Sequence, residues 1–355
     1  MSVKFGIVGF GFVGHIHEKG LVDEFQEEVK ITAICDIVPE RMDDALSADA
    51  RKYTRADELF ADPEVDVAVI CVPNHLHLEM VEKAARAGKS ILCEKPAAMN
   101  LQEFEKMMQI VKSCGVSFTV HHQRRFDKDF RTIKAAYDAQ EVGRPYMLQS
   151  KLYGFNGNMH DWHVYNQYGG GMLLDWGVHL IDQFLWMIDS PVKTVYAIMK
   201  NVINFEVDDY FKIILGFENG MFGEIELGTY FLKDQDNWFT HHWILAGDKG
   251  TAYCDGFAPS NGTVATTTRL LTSVEGKLTM TASGPTRSFG GPEPGLIVTK
   301  HLPMATTSYG DYYRNYLAAY HGKEEFLVTE EEMRRLLTVV EAVRKSAAEN
   351  RTVEL

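Results

Sequence analysis

Lys95, Asp175 and His179 are the side chains of this sequence whose types and spacing can do chemistry together. Lys95 lies in Cys93-Glu94-Lys95-Pro96, directly after the apolar run Ser90-Ile91-Leu92, while Asp175 and His179 fall one helical turn apart. An ammonium can hydrogen-bond and stabilise an oxygen gaining negative charge, an imidazole can take or return a proton, and a carboxylate can orient either. Upstream, Gly9-Phe10-Gly11-Phe12-Val13-Gly14 follows a strand candidate at Val3 to Val8 and opens a helical pattern. In that context Gly9 permits a tight turn, Gly11 lets backbone approach a pyrophosphate, and Gly14 lets helix pack on strand. The helix N-terminus then supplies free N–H groups for phosphate. Beside a redox cofactor, an amine, an imidazole and a carboxylate can move a proton and a hydride, which points to an oxidoreductase.

Asp36 ends the second strand candidate, Lys30 to Cys35, where a carboxylate can accept both hydroxyls of a ribose. The following Ile37, with no Ser or Arg beside the acid, favours NAD over NADP, because a 2′-phosphate would meet like charge. Arg41 is near enough to leave that choice open.

These groups need two frameworks to position them. Through residue 121, apolar runs at Val3 to Val8, Lys30 to Cys35, Val65 to Val72, Lys89 to Cys93 and Val116 to Val120 alternate with helical stretches. His75 to Ala87 is one such stretch, and Leu101 to Ser113, started by Asn100 as N-cap, is another. That grammar predicts a parallel α/β sheet, a Rossmann dinucleotide-binding domain over 1–121. Residues 122–355 read differently, as an α/β domain with an open, mainly antiparallel sheet. Helices are expected near Phe126 to Tyr137, Met172 to Ile188, Tyr309 to Tyr320 and Glu330 to Glu349. Strands are expected at Tyr146 to Tyr153, Tyr210 to Phe217, Met221 to Phe231, Trp243 to Ala246 and Thr251 to Cys254. Residues 256–300, rich in Gly, Pro, Ser and Thr, suit long mobile hairpins. Within the Met172 helix, Asp175, His179, Asp182 and Trp186 would form one stripe at i, i+4, i+7 and i+11, which either faces solvent or lines a cleft. The three glycines before it, Gly169 to Gly171, would let backbone come close to a ligand.

Composition narrows the partners. A net charge of −13 over 355 residues argues against nucleic acid or an anionic membrane. No apolar stretch reaches spanning length, and the N-terminus reads as a first strand rather than a signal peptide. The five cysteines show no paired spacing, which suits a reducing cytoplasm. Alternation in Phe211, Ile213, Leu215 and Phe217, with Tyr210, Lys212 and Ile214 facing the other way, leaves a broad second sheet face, so a homodimer or homotetramer is expected.

Taken with Pro73-Asn74-His75-Leu76-His77, Arg124-Arg125-Phe126, the run Gly169 to Asp182 and the ending Arg351 to Leu355, these motifs resemble the Gfo/Idh/MocA family. Its members are sugar and inositol dehydrogenases related to glucose-fructose oxidoreductase. The resemblance covers nearly the whole chain. It implies a Rossmann domain followed by an open-sheet α/β domain, with Lys95, Asp175 and His179 catalytic. It also implies that Pro73 and Asn74 border the nicotinamide ribose, with His77 and Glu94 nearby, and that Arg124 and Arg125 lie near cofactor and substrate. Residues 156–163 are rich in polar and aromatic groups: Trp162 can stack on a sugar face, and Asp161 or His163 can bond its hydroxyls. His160, Asp161 and His163, or His241 and His242, can also be read as metal ligands, but neither spacing matches a zinc signature and hydride transfer needs no metal. The expectation is therefore an NAD-dependent enzyme, NADP remaining open, acting on a secondary hydroxyl of a sugar, inositol or related polyol. Two rivals stand: a redox-neutral glycosidase or epimerase recycling its bound NAD, and a non-catalytic NAD(H) sensor.

Overall fold

The computed structural model describes residues 2–154, 159–231, 234, 236, 238–259, 262–288 and 290–355. Asn156, Gly157 and Asn158, at the start of the polar-aromatic segment, lie outside them. The first third of the chain folds as a parallel α/β sheet, as expected. Strands β1 (Val3–Val8), β2 (Val29–Cys35), β3 (Arg51–Tyr53), β4 (Val67–Ile70), β5 (Ser90–Cys93) and β6 (Phe118–Val120) form one parallel sheet in the order β3-β2-β1-β4-β5-β6. This is the doubly wound order, whose direction of winding reverses between β1 and β4 and opens a crevice at the strands' carboxyl ends. The central strands are largely apolar because helices α1 (Phe12–Phe25), α2 (Ala56–Ala61), α3 (His77–Arg86) and α4 (Leu101–Cys114) cover the sheet. Phe5, Ile7, Val69 and Leu92 are completely buried, each contributing roughly 1.5–3 kcal/mol. Asn100 caps α4 as predicted, its side chain accepting the Glu103 N–H at 2.8 Å. The sequence reading has no counterpart for β3, three residues of which Arg51 and Lys52 are exposed.

The second sheet has nine strands. They are β7 (Pro145–Gly154), β8 (Val192–Lys200), β9 (Tyr210–Phe217), β10 (Phe222–Gly228), β11 (Phe239–Gly247), β12 (Gly250–Asp255), β13 (Thr263–Thr267) and, after the separate hairpin β14 (Leu278–Thr281) and β15 (Gly284–Arg287), β16 (Ile297–His301) and β17 (Val353–Glu354). Their order is β16-β13-β12-β11-β7-β10-β9-β8-β17, antiparallel except for the β7–β10 pair. Strand β8 is a second departure, since a bulge between Val192 and Thr194 breaks the alternation that would reveal it. Helices α5 (Lys128–Asp138), α6 (Val178–Met187) and α8 (Glu330–Glu349) pack on one face, burying Phe211, Ile213, Leu215 and Trp243. Opposite, Ile198, Ile214, Phe222 and Tyr253 stay partly accessible around the Lys212–Glu224 ion pair.

Helix α7 (Gly310–Tyr320) returns to the first sheet. Tyr312 donates to the Val120 carbonyl at 2.7 Å, Tyr313 meets His17 on α1 at 2.9 Å, and the Tyr316 ring lies 5.8 Å from Phe5.

Candidate active site

The glycine loop has the geometry its sequence predicts. Gly9 has φ +88°, and a Cβ there would stand 2.5 Å from the Cys71 carbonyl oxygen; one on Gly14 would stand 2.5 Å from the Gly9 carbonyl oxygen. A Cβ on Gly11 would meet nothing within 4 Å, so this glycine leaves a surface against which a ligand can lie. No side chain caps α1, which leaves its first N–H groups free for phosphate. Phe12 and Ile37 are more than four-fifths exposed on either side of the loop, whereas the Phe10 side chain is buried and touches no ligand space. Asp36 accepts the Phe10 and Val38 N–H groups, each at 2.9 Å, with Arg41 at 3.5 Å. A carboxylate has about four acceptor positions, so capacity for ribose hydroxyls is left. These residues fit a dinucleotide.

Lys95 and Asp175 meet across the crevice. Lys95 Nζ donates to Asp175 Oδ1 at 2.7 Å and to the Asp175 carbonyl at 2.8 Å. Of three ammonium hydrogens, two are thus fixed and one remains for a third acceptor. Burial would raise the Asp175 pKa, but Lys95 outweighs it and holds the carboxyl below its ordinary value. His179 is buried, and its Nδ1 has no hydrogen-bond partner among the described residues. Burial, reinforced by Lys95 and Arg124, holds its pKa well below 6.5, so at neutral pH the imidazole is uncharged and able to accept a proton.

The expected single stripe does not form. Residues Leu173–Gly177 make a π-helical turn before α6, and the wider i→i+5 spacing carries Asp175 off the α-helical row. Asp175 therefore pairs with Lys95 and makes no hydrogen bond to His179. Asp182 does not line a cleft but makes a bidentate ion pair with Arg125, at 2.7 and 2.8 Å. Arg125 departs from its expected substrate role for the same reason. Its guanidinium is 1% exposed and is also bonded to the Leu327 carbonyl and Glu332, so it holds elements together. The glycine triplet likewise packs against the chain itself, with a Cβ on Gly170 falling 2.2 Å from the His163 carbonyl and one on Gly171 2.5 Å from Asp208. Asn74 joins this turn by donating to the Gly169 carbonyl at 2.7 Å. Asp208 accepts the Leu173 N–H at 2.8 Å, its own pKa pushed by burial to about 6.

Two residues expected at the cofactor are structural instead. His77 is wholly buried, with its ring nitrogens bonded to the Pro96 and Val72 carbonyls at 2.8 and 2.9 Å. Glu94 faces away from the crevice, its Oε1 shared by His17 Nε2 at 2.9 Å and His121 Nδ1 at 2.6 Å. Burial would raise the Glu94 pKa, but His121 and His17 hold it well below the ordinary range, and His121 itself is lowered by burial to about 4. Lys95 thus leaves a peptide whose neighbour is clamped to α1 and β6.

Around this centre the remaining predicted residues divide. Arg124 stays partly exposed, its guanidinium carbon 3.9 Å above the Trp176 ring and its Nη1 3.2 Å from Asp127. His163 lies near Asp175 with Trp162 stacked on it at 3.8 Å. His160 and Asp161 pair with each other at the exposed surface, and His242 pairs with Asp255. His122 is a residue the sequence reading left without a role: its ring lies edge-on to His179 at 5.5 Å, and neither buried nitrogen has a hydrogen-bond partner among the described residues, although Nδ1 lies 3.9 Å from Asp182. Its position directly after β6 was the available signal.

Comparison with known proteins agrees with this geometry. Residues 3–122 match the family model described as an oxidoreductase family with an NAD-binding Rossmann fold, and residues 130–253 match the GFO/IDH/MocA C-terminal domain. The chain is 30% identical over 268 residues to an uncharacterized oxidoreductase, YrbE, of Bacillus subtilis, covering 74% of this chain and 76% of that protein. It is 27% identical over 282 residues to the myo-inositol 2-dehydrogenase of Thermotoga maritima, covering 77% and 79%. The crystal structure of an NAD-binding protein from Listeria innocua superposes with a TM-score of 0.88 at 32% identity, over 100% of this chain and 99% of that one. The protein is an oxidoreductase with a nicotinamide-dinucleotide-binding Rossmann fold. It belongs to the Gfo/Idh/MocA family.

Proposed function

We propose that the protein is an NAD-dependent dehydrogenase that oxidises a secondary hydroxyl of a sugar, inositol or related polyol, or reduces the corresponding ketone. The observation that carries the reading is the Lys95–Asp175 pair beside a buried, neutral His179. Gly9, Gly11, Gly14 and the free N–H groups of α1 hold the dinucleotide's pyrophosphate, and Asp36 its adenosine ribose. When bound, the dinucleotide supplies the hydride acceptor for the carbon bearing the hydroxyl. His179 takes the hydroxyl proton, and in the reverse direction returns it. The third Lys95 N–H donates to the same oxygen and stabilises its developing charge, while Asp175 fixes the ammonium that does so. The myo-inositol 2-dehydrogenase relative supports a polyol or sugar as substrate.

The test is a panel of sugars, inositols and glycosides offered with NAD and separately with NADP, following absorbance of the reduced cofactor and product mass together. Oxidised product matched by reduced cofactor supports the reading. Products formed without net reduction of cofactor would replace it with recycled-cofactor chemistry.

A further inference from the structure

A cavity of about 480 Å³ adjoins the centre without including Lys95 or His179 in its lining. Its apolar wall includes Phe239 and Phe257, stacked at 5.2 Å, and its polar wall includes Arg124, Asp127, Lys128 and Tyr309. Trp176 stands between cavity and centre. Its ring is 6.2 Å from His179 on one side, and 5.6 and 6.1 Å from Phe239 and Phe257 on the other. We infer that this cavity is a subsite for a second sugar ring, so that the enzyme's substrates are two-ring glycosides rather than single-ring polyols. This rests on the dehydrogenase reading above and names the substrate class for the same site.

Three properties favour such an occupant. The volume lies within the ~300–1,000 Å³ of pockets that bury a sizeable ligand. Aromatic faces can cover the apolar C–H face of a pyranose, while the opposite wall offers both donors and acceptors. Within the polar wall Arg124 is already paired: Asp127 accepts from Tyr309 at 2.7 Å and from Arg124 at 3.2 Å. A sugar hydroxyl can donate to Asp127 and accept from Arg124 without breaking that pair, and Lys128, Thr307 and Ser308 add further donors around it.

The experiment compares matched probes, glucose with maltose and cellobiose, galactose with lactose, and myo-inositol with galactosyl-inositol, by kcat/KM and by calorimetric binding to the cofactor-loaded enzyme. The expected result is at least a tenfold higher kcat/KM for a two-ring probe than for its one-ring partner. Phe257→Ala and the bulk-conserving Phe257→Leu should erase most of that advantage, and Tyr309→Phe part of it, while one-ring turnover stays within twofold. Equal kcat/KM for both classes, or an equal loss on both in the variants, would each overturn the subsite. Two-ring binding that depends on Phe257 without any turnover would support the subsite and overturn the dehydrogenase reading. Neither binding nor turnover with any probe would overturn both.

Discussion

Lys95→Met keeps the length of the side chain and removes its charge and its three donors. Two of those donors are held by Asp175 at 2.7 and 2.8 Å, so the prediction separates a catalytic loss from a structural one. Losing a preorganised donor to a developing alkoxide costs about 2.7–4 kcal/mol, a drop in kcat of about 10²–10³-fold. Stranding the Asp175 carboxylate, whose side chain is 29% exposed, costs stability as well. After solvent screening this is roughly 1–2 kcal/mol, below the penalty for a fully buried pair. Lys95→Met/Asp175→Asn removes the stranded charge, so it should recover stability in urea titration without recovering turnover. A third readout follows from His179. Lys95 is one of the cations holding its pKa down, so removing that charge raises the pKa and shifts the acid limb of the residual pH–rate profile to higher pH. Affinity for the dinucleotide, measured by fluorescence quenching, should change only a few fold. If Lys95→Met keeps near-normal kcat on the best substrate, or if the double variant regains it, Lys95 serves the fold and the proposed chemistry fails.

His179→Ala should lose at least ~10² in turnover, and combining it with Lys95→Met should cost less than the sum because both act on one oxygen; additive losses in steady-state rates would assign them to separate steps. Asp36→Ala should weaken NAD and narrow the NAD/NADP affinity gap, and an unchanged ratio in paired titrations would mean that Asp36 does not read the ribose. Buried neutral His121, His122 and His179 all have folded pKa values below 6.5. Their contribution to stability is therefore present above about pH 6.5 and lost as pH falls toward the folded values, and the urea midpoint should drop between about pH 7 and pH 5; a flat profile would contradict the neutral assignment. The open sheet face should mediate self-association, so light scattering should give a mass above the monomer that Ile214→Lys reduces, and a monomer at micromolar concentration excludes it.

The parts of this molecule legible in the sequence are those where one local rule decides the outcome. The β1–α1 glycine loop, the Asn100 cap and α8, whose observed span Glu330–Glu349 is the expected one, all follow from neighbours a few residues apart. What the sequence concealed depends on partners far along the chain. Arg125 and Asp182 look like site residues because both are polar beside a cleft motif, yet each cancels the other's charge in the interior. Helical spacing also assumed α geometry through Asp175, and the π turn at Leu173–Gly177 overrode it. Glu94 and His77 sit in motif sequence but serve backbone and imidazole partners that no linear pattern specifies.

The hidden network explains why Lys95 can be precise. A lysine on a loop loses much rotamer freedom when fixed, and holding it requires a rigid attachment at both ends. At its tip, Asp175 from the second domain captures the ammonium. At its base, Glu94 is bonded to His17 of α1 and His121 after β6, and Tyr313 of α7 completes the set through His17. The same α1 that offers its N-terminus to phosphate therefore also fixes, five residues later at His17, the peptide that carries the reactive amine. Cofactor and amine share one rigid element, so a displacement of either moves both, and the relative position needed for chemistry is set by the fold before any substrate binds.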